Sequence, residues 1–263
     1  MMAGLAKRPP FGRFILLFAT WTVLVYLCFP FMVIVPLSFT SGDYLSFPPP
    51  GFSLRWYEHF MNTPKWYASG LQSIIIAVAS AILASFFGTL ASLGMWRGNW
   101  RYGPPLQNLL LLPLIVPPII SAIVFFRLWS KWHIVDTLFG LVLAHTILGL
   151  PYVVITVNAS LANFDIKLEQ AARSLGAGLW YVLRRVTVPC ILPGILSGGL
   201  FAFVTSWDES IVALFLCGIR TSTLPRTMWD GIKYDFDPTV SVIATMLFVI
   251  TSVVFVFFVV RQR

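Results

Sequence analysis

Apolar residues in this chain gather in blocks of about 20 or more, separated by short polar stretches, and show neither strict alternation nor a one-sided helical stripe. A helix of that length matches the roughly 30 Å hydrocarbon layer of a bilayer, and a helix satisfies its own backbone groups there. Six blocks fit: Phe14–Leu37, Gly70–Met95, Leu106–Phe126, Leu138–Ser160, Pro193–Leu216 and Thr239–Val260. The expected fold is an all-α integral membrane protein with about six transmembrane helices, organised as a single transmembrane domain over residues 1–263. Pro30, Pro113, Pro117, Pro118 and Pro151 fall inside the blocks and predict kinks rather than breaks, because neighbouring helices can satisfy the freed backbone groups.

Composition removes the alternatives. The 263 residues are 58% hydrophobic and 11% charged, with a mean hydropathy of +0.84, whereas a soluble domain carries about 25% charged residues. The net charge of +8 does not indicate nucleic acid, since the basic residues fall in short groups between apolar blocks and form no single patch. Lys7, Arg8 and Arg13 precede an apolar block longer than the roughly 7 to 15 residues of a signal-peptide core, so it reads as an uncleaved first span. Cytoplasmic loops retain excess Lys and Arg. With both termini inside, Lys7, Arg8, Arg13, Arg97, Arg101, Lys167, Arg173, Arg184, Arg185, Arg261 and Arg263 are cytoplasmic, eleven of the 18. Acids run the other way: Asp165 and Glu169 are cytoplasmic, while Asp43, Glu58, Asp136, Asp230, Asp235 and Asp237 face outward. That bias either attracts cationic solutes or a partner, or merely balances the rule acting on Lys and Arg. Cys28, Cys190 and Cys217 have no disulfide, redox or metal spacing, and the bulky Leu27 argues against lipid attachment at Cys28.

Between the fourth and fifth blocks lies a cytoplasmic stretch, Leu161–Leu192. Lys167–Leu175 is built of good helix formers with Ala171 and Ala172 mid-way, Gly176 ends that helix, and a second helical segment, Leu179–Val188, runs to Pro189. A short helix exposing small side chains before a glycine turn lets a partner's backbone approach closely, which is the shape of a docking knob.

Here the chain resembles the inner-membrane permeases of binding-protein-dependent ABC importers. Their cytoplasmic loop has Glu-Ala-Ala, three residues, Gly, nine residues, then Ile-x-Leu-Pro. This chain has Gln170-Ala171-Ala172, three residues, Gly176, nine residues to Arg185, then Val186-Thr187-Val188-Pro189. The departure is Gln170 for the family's Glu, with Glu169 one position earlier. The resemblance implies a type I importer permease fold in the bacterial inner (plasma) membrane, with a coupling helix seated in a separate ATPase. Glu169, Gln170, Ala171, Ala172 and Gly176 would carry the coupling. The implied partners are an ATPase subunit dimer, a second homologous permease subunit, an extracytoplasmic solute-binding protein and the lipid bilayer. The chain has no G-x-x-x-x-G-K-[ST] phosphate loop, so it is expected to be no enzyme and to need no cofactor of its own, with ATP and Mg on the partner.

Within that family the resemblance is strongest to the polyamine (spermidine and putrescine) branch. Ser206-Trp207-Asp208-Glu209-Ser210 matches the place where those relatives carry paired acids in span five. Ionisable residues in a span cost about 2.5 to 3.5 kcal/mol each and are functional by default, so Trp207, Asp208 and Glu209 are expected on the solute path. The structural alternative is that the two acids sit hydrated near the outer end of the span or pair with Arg220 or Arg226. Val116-Pro117-Pro118-Ile119 lacks the acid that polyamine relatives often carry after the span-three proline, which keeps other small organic solutes open: amino acid derivatives, opines and phosphonate-bearing amines.

Other features are read structurally. His145 has no acid from Leu141 to Gly149 and is expected to be a hydrogen-bonded packing residue rather than a proton relay. Gly194 and Gly198 form a GxxxG that predicts close helix packing. Leu224–Pro238 is expected as an external loop, either a contact for a binding protein or a solvated connection. A self-contained secondary transporter would need repeat symmetry with paired intramembrane charges and no docking loop, and a membrane-embedded enzyme would need a chemical motif that the chain lacks.

Overall fold

The computed structural model describes residues 10–98 and 103–261, with side chains described over 14–98 and 103–253 apart from 235. Lys7, Arg8, Arg101 and Arg263 of the topology argument lie outside the described residues, and Arg13 and Arg261 lie outside the described side chains. In chain order the α-helices are α1 (Pro10–Ser38), α2 (Arg55–Asn62), α3 (Pro64–Gly98), α4 (Gly103–Ile115), α5 (Pro118–Lys131), α6 (Leu138–Ala162), α7 (Lys167–Ser174), α8 (Leu179–Val182), α9 (Val188–Asp208), α10 (Ile211–Leu216), α11 (Leu224–Asp230) and α12 (Thr239–Arg261). Among the described residues the fold is all-α, apart from an isolated bridge between Thr40 and Phe52.

Two compact units result: Met1–Pro64 with Asp230–Arg263, and Lys65–Trp229. In the first, α12 packs on α1 and α2, with Phe31 stacked on Phe248 at 4.0 Å. Exposed Asp43, in the connection between α1 and α2, pairs with exposed Arg55 at the start of α2.

The second unit is organised as membrane helices are, with small residues inside and large apolar ones outside. On α3, Ser69, Ser73, Ala77, Ser80, Ala84, Gly88 and Ser92 are buried while Ile82, Phe86 and Leu90 are exposed. Lipid is as apolar as leucine, so close backbone approach, not burial of bulk, holds such helices together. The α6–α9 pair shows this most directly. A Cβ on Gly198 would lie 2.7 Å from the Val153 Cα, one on Gly194 2.7 Å from the Thr156 carbonyl oxygen, and one on Gly149 2.9 Å from the Ala202 Cβ. The expected role of the GxxxG is therefore observed. His145 is buried on the same seam, its Nδ1 2.8 Å from the Ser206 hydroxyl.

Among the described residues, four helical stretches are long and apolar enough to span, Phe14–Ser38, Pro64–Gly98, Leu138–Ala162 and Leu179–Asp208, and Thr239–Val253 of the sixth expected block is a shorter apolar helix. The second spanning helix starts earlier than expected, at Pro64 rather than Gly70, and the larger changes fall in the third and fifth blocks. The third block is not one helix: α4 and α5 are bent by 105° at Val116-Pro117. Two consecutive prolines withhold two backbone donors and push the preceding residues out of the helical region, so the expected kink is a break. The prolines that stand alone, Pro30, Pro113 and Pro151, remain inside continuous helices. The fifth span starts near Leu179 rather than Pro193 and ends at Asp208 rather than Leu216, with 211–216 forming the separate helix α10.

The second helical segment of the cytoplasmic stretch also does not stop at Pro189. It passes through a π-helical turn, Leu183–Thr187, directly into α9, where Pro189 occupies the first turn. The Val188 N–H still bonds back to the Leu183 carbonyl, so the helix is continuous there, and the π-turn is the local distortion that accommodates a proline lacking an N–H. Residues 224–235, expected as loop, are helical as well, as α11 and a second π-turn, Gly231–Asp235.

Candidate coupling and translocation sites

The coupling segment is built from local signals at both ends. The Asp165 carboxylate accepts the Lys167 N–H at 2.9 Å where α7 starts, as acidic residues favour helix N-termini. At the other end the Gly176 N–H reaches the Arg173 carbonyl and the Ala177 N–H reaches the Ala172 carbonyl. Those two bonds, with Gly176 at φ +84°, make a Schellman stop, a conformation that disfavours a Cβ.

The short helix presents two different faces. Gln170, Ala171, Arg173 and Ser174 are exposed and Ala172 is half-buried. Leu175 is 90% exposed and Trp180 is 75% exposed, so an apolar rim surrounds the small residues. Glu169, expected with them as a coupling residue, points the other way. It is buried and accepts from Arg97 Nη2 at 2.6 Å and from the Thr187 hydroxyl. Helical geometry dictates the split, since successive residues are turned by about 100°. A buried carboxylate must find donors, and Glu169 finds them on α3 and on the π-turn before α9. Arg97 and Thr187 were not singled out from the sequence; the available signal was the basic end of α3 facing the lone acid of α7.

The opposite end of this unit holds the acidic pair. The stretch from Arg185 to Asp208 is about 23 residues, or roughly 34 Å of helix, so Asp208 stands about one hydrocarbon thickness from the basic pair Arg184 and Arg185. Asp208 is therefore the end of its span, not an interior residue, which corrects its expected place within the apolar block. It is exposed, and Trp207 beside it stacks on Phe203 at 6.3 Å. Glu209 is occupied within the chain, where its carboxylate accepts the Val212 N–H at 2.8 Å and caps α10. The other end of α10 receives Arg226, whose Nη1 donates to the carbonyls of Ala213, Leu214 and Cys217. Charges of these signs at these ends oppose the helix dipole.

The segment after α10 is fixed by Asp136, which the charge distribution places on the outer side without assigning it a role. Asp136 accepts backbone N–H groups from Gly218, Ile219, Arg220 and Thr221, and the Thr221 hydroxyl besides. Desolvation raises its pKa, but the donors from Arg220, Thr221 and Ile219 outweigh that and bring it from 3.8 to about 2. Farther along, the Gln72 side chain accepts the Ser222 N–H and the Ser73 hydroxyl the Leu224 N–H. No group of three or more His, Cys, Asp or Glu side chains among the described residues is placed to hold a metal.

Residues 84–263 match the family of binding-protein-dependent transport system inner membrane components. The spermidine/putrescine transport system permease protein PotC of Haemophilus influenzae is 31% identical over 232 residues, covering 88% of this chain and 90% of that protein. The putrescine transport system permease protein PotI of Escherichia coli is 28% identical over 84% of this chain and 81% of its own length. A crystal structure of a bacterial ABC transporter involved in importing the acidic polysaccharide alginate superposes with a TM-score of 0.74 over 96% of this chain and 95% of the matched one, at 16% identity. At that identity the likeness concerns the fold alone. With the Gln170–Gly176–Pro189 register on a short exposed helix, and with these matches over most of its length, the chain belongs to the binding-protein-dependent transport system inner membrane component family, as an ABC importer permease.

Proposed function

We propose that this chain forms half of the translocation path of an ATP-driven importer for polyamines or related small organic cations in the bacterial inner membrane. In this reading α7 docks in a separate ATPase, a second permease subunit completes the path, and an extracytoplasmic binding protein delivers the solute. The observation that carries the reading is the exposed α7 knob: small Ala171 and Ala172, a glycine stop, and an apolar rim of Leu175 and Trp180 that the described residues leave uncovered. The relatives named for spermidine and putrescine support the solute class, and so does an exposed carboxylate, Asp208, next to an aromatic at the end of a span. A carboxylate attracts a cation at long range, and an indole face can stack on it.

The test is spermidine uptake into proteoliposomes carrying the complete complex with its binding protein. The double change Asp208→Asn with Glu209→Gln removes both charges while leaving an amide oxygen to cap α10. Uptake should fall by about tenfold or more, given charge-assisted contacts of about 1.5 to 3 kcal/mol, while basal ATP hydrolysis and solute affinity of the binding protein stay unchanged. Undiminished uptake would remove the cationic path and leave a permease for another small organic solute.

A further inference from the structure

We propose that Glu169, Arg97 and Thr187 form a tie that carries displacement of the coupling helix α7 into α3 and α9 together, rather than serving the docking surface itself. This rests on the reading of α7 as the ATPase-docking helix. An isolated helix of eight residues is marginal, so what α7 moves is decided by what its inner face holds. Among the described residues Glu169 is the buried member of α7, and its single oxygen Oε1 is shared by Arg97 and Thr187. Arg97 lies in the last turn of α3, and Thr187 stands where the π-turn joins α9. One acceptor oxygen with donors from two spans cannot be shifted without loading both.

The chemistry makes that connection stiff. Breaking one side of a buried ion pair strands a charge in a low-dielectric setting, so a push on α7 moves its partners before it separates them. Aromatic contacts brace the same corner: Trp96 meets Phe164 edge-on at 5.7 Å, in the turn that leads into α7. The π-turn Leu183–Thr187 supplies a compliant joint directly beside the tie, as single π-turns inside α-helices often do at functional sites. A carboxylate at 170 would stand on the exposed face, whereas the one at 169 is turned inward, so the substitution of Gln at 170 leaves this tie whole.

The experiment uses the complete permease–ATPase complex in proteoliposomes with its binding protein and spermidine, measuring uptake and ATP hydrolysis in the same preparation. Glu169→Gln should keep the ATPase subunits bound and basal hydrolysis within about twofold, while solute moved per ATP falls at least about tenfold, the usual range of an inter-site coupling. Thr187→Val should lower the same ratio by a smaller factor, and Thr187→Ser, which restores the hydroxyl, should return it to the wild-type value. A merely structural role would change yield or assembly and leave the ratio intact. The inference is overturned if both Glu169→Gln and Thr187→Val keep the wild-type ratio, or if Glu169→Gln releases the ATPase subunits. Absence of any binding-protein-stimulated hydrolysis in the wild-type complex would instead remove the importer reading, and this inference with it.

Discussion

The unit Lys65–Trp229 holds a heavily bonded carboxylate at each end, and the two are held by opposite means. Glu169 is gripped by side chains, a guanidinium and a hydroxyl that reach it from two other elements. Asp136 is gripped mostly by backbone, accepting N–H groups from four consecutive residues, 218–221. Backbone donors in a row can be satisfied only if that segment keeps one shape, so Asp136 freezes a local conformation. Side-chain donors have rotatable stems, so Glu169 joins elements while allowing them to move as a group. The end bearing α7 is thus organised for transmitting movement, and the opposite end for holding the segment after α10 in a fixed shape.

The largest expected effect breaks the α7 end. Ala171→Glu places a charge on the exposed face that has to fit closely against a partner, and spermidine uptake should fall to background while the protein remains in the membrane at normal levels. Gly176→Leu should act more weakly, by about fivefold, because its φ of +84° costs a side-chain-bearing residue about 1 kcal/mol and no neighbouring atom lies within 4 Å of the new Cβ. Co-purification of the ATPase with each variant reports the loss directly, and retained ATPase with normal uptake would refute docking by this face.

A medium effect sharpens the contrast at the other end. Asp136→Ala leaves several backbone donors without their charged acceptor, and should lower stability in detergent by about 2 kcal/mol without dissociating the ATPase. The pH dependence has a definite sign. The folded pKa of about 2 lies below the ordinary 3.8, so this contribution is complete above about pH 4 and is lost as pH falls through 2. Unfolding midpoints of wild type and Asp136→Asn should therefore keep a constant gap from pH 7 to 5 and converge below pH 4. A gap that persists at pH 2 would mean the cradle does not depend on the charge.

The smallest effect is a control. Asp43 and Arg55 pair much as Glu169 and Arg97 do, but with the Asp43 side chain 73% exposed rather than 8% for Glu169. Asp43→Asn should change stability by no more than about 0.5 kcal/mol and leave uptake unaltered. A loss comparable to that of Glu169→Gln would show that burial does not distinguish the two pairs.

Features that depend on nearby residues were legible in one dimension: the length of apolar blocks that makes a span, the small-residue knob, its glycine stop, the Gln170–Gly176–Pro189 register, and the glycine spacing that seats α9 on α6. Local steric and solvation rules govern all of them, and those rules act over a few positions of chain. The carboxylate grips belong to the folded chain instead. Glu169 lies 72 positions from Arg97, and Asp136 lies 85 from Thr221; no periodicity links residues so far apart, and their pairing arises only when helix ends converge. The same limit explains the spans. The apolar blocks ran on through Pro117 and Pro118 and, past the polar Asp208-Glu209-Ser210, to Leu216, yet the helices break at both places, because block hydrophobicity records what lipid tolerates. Where a helix stops depends on which backbone groups find partners, and for α10 those partners are Glu209 and Arg226.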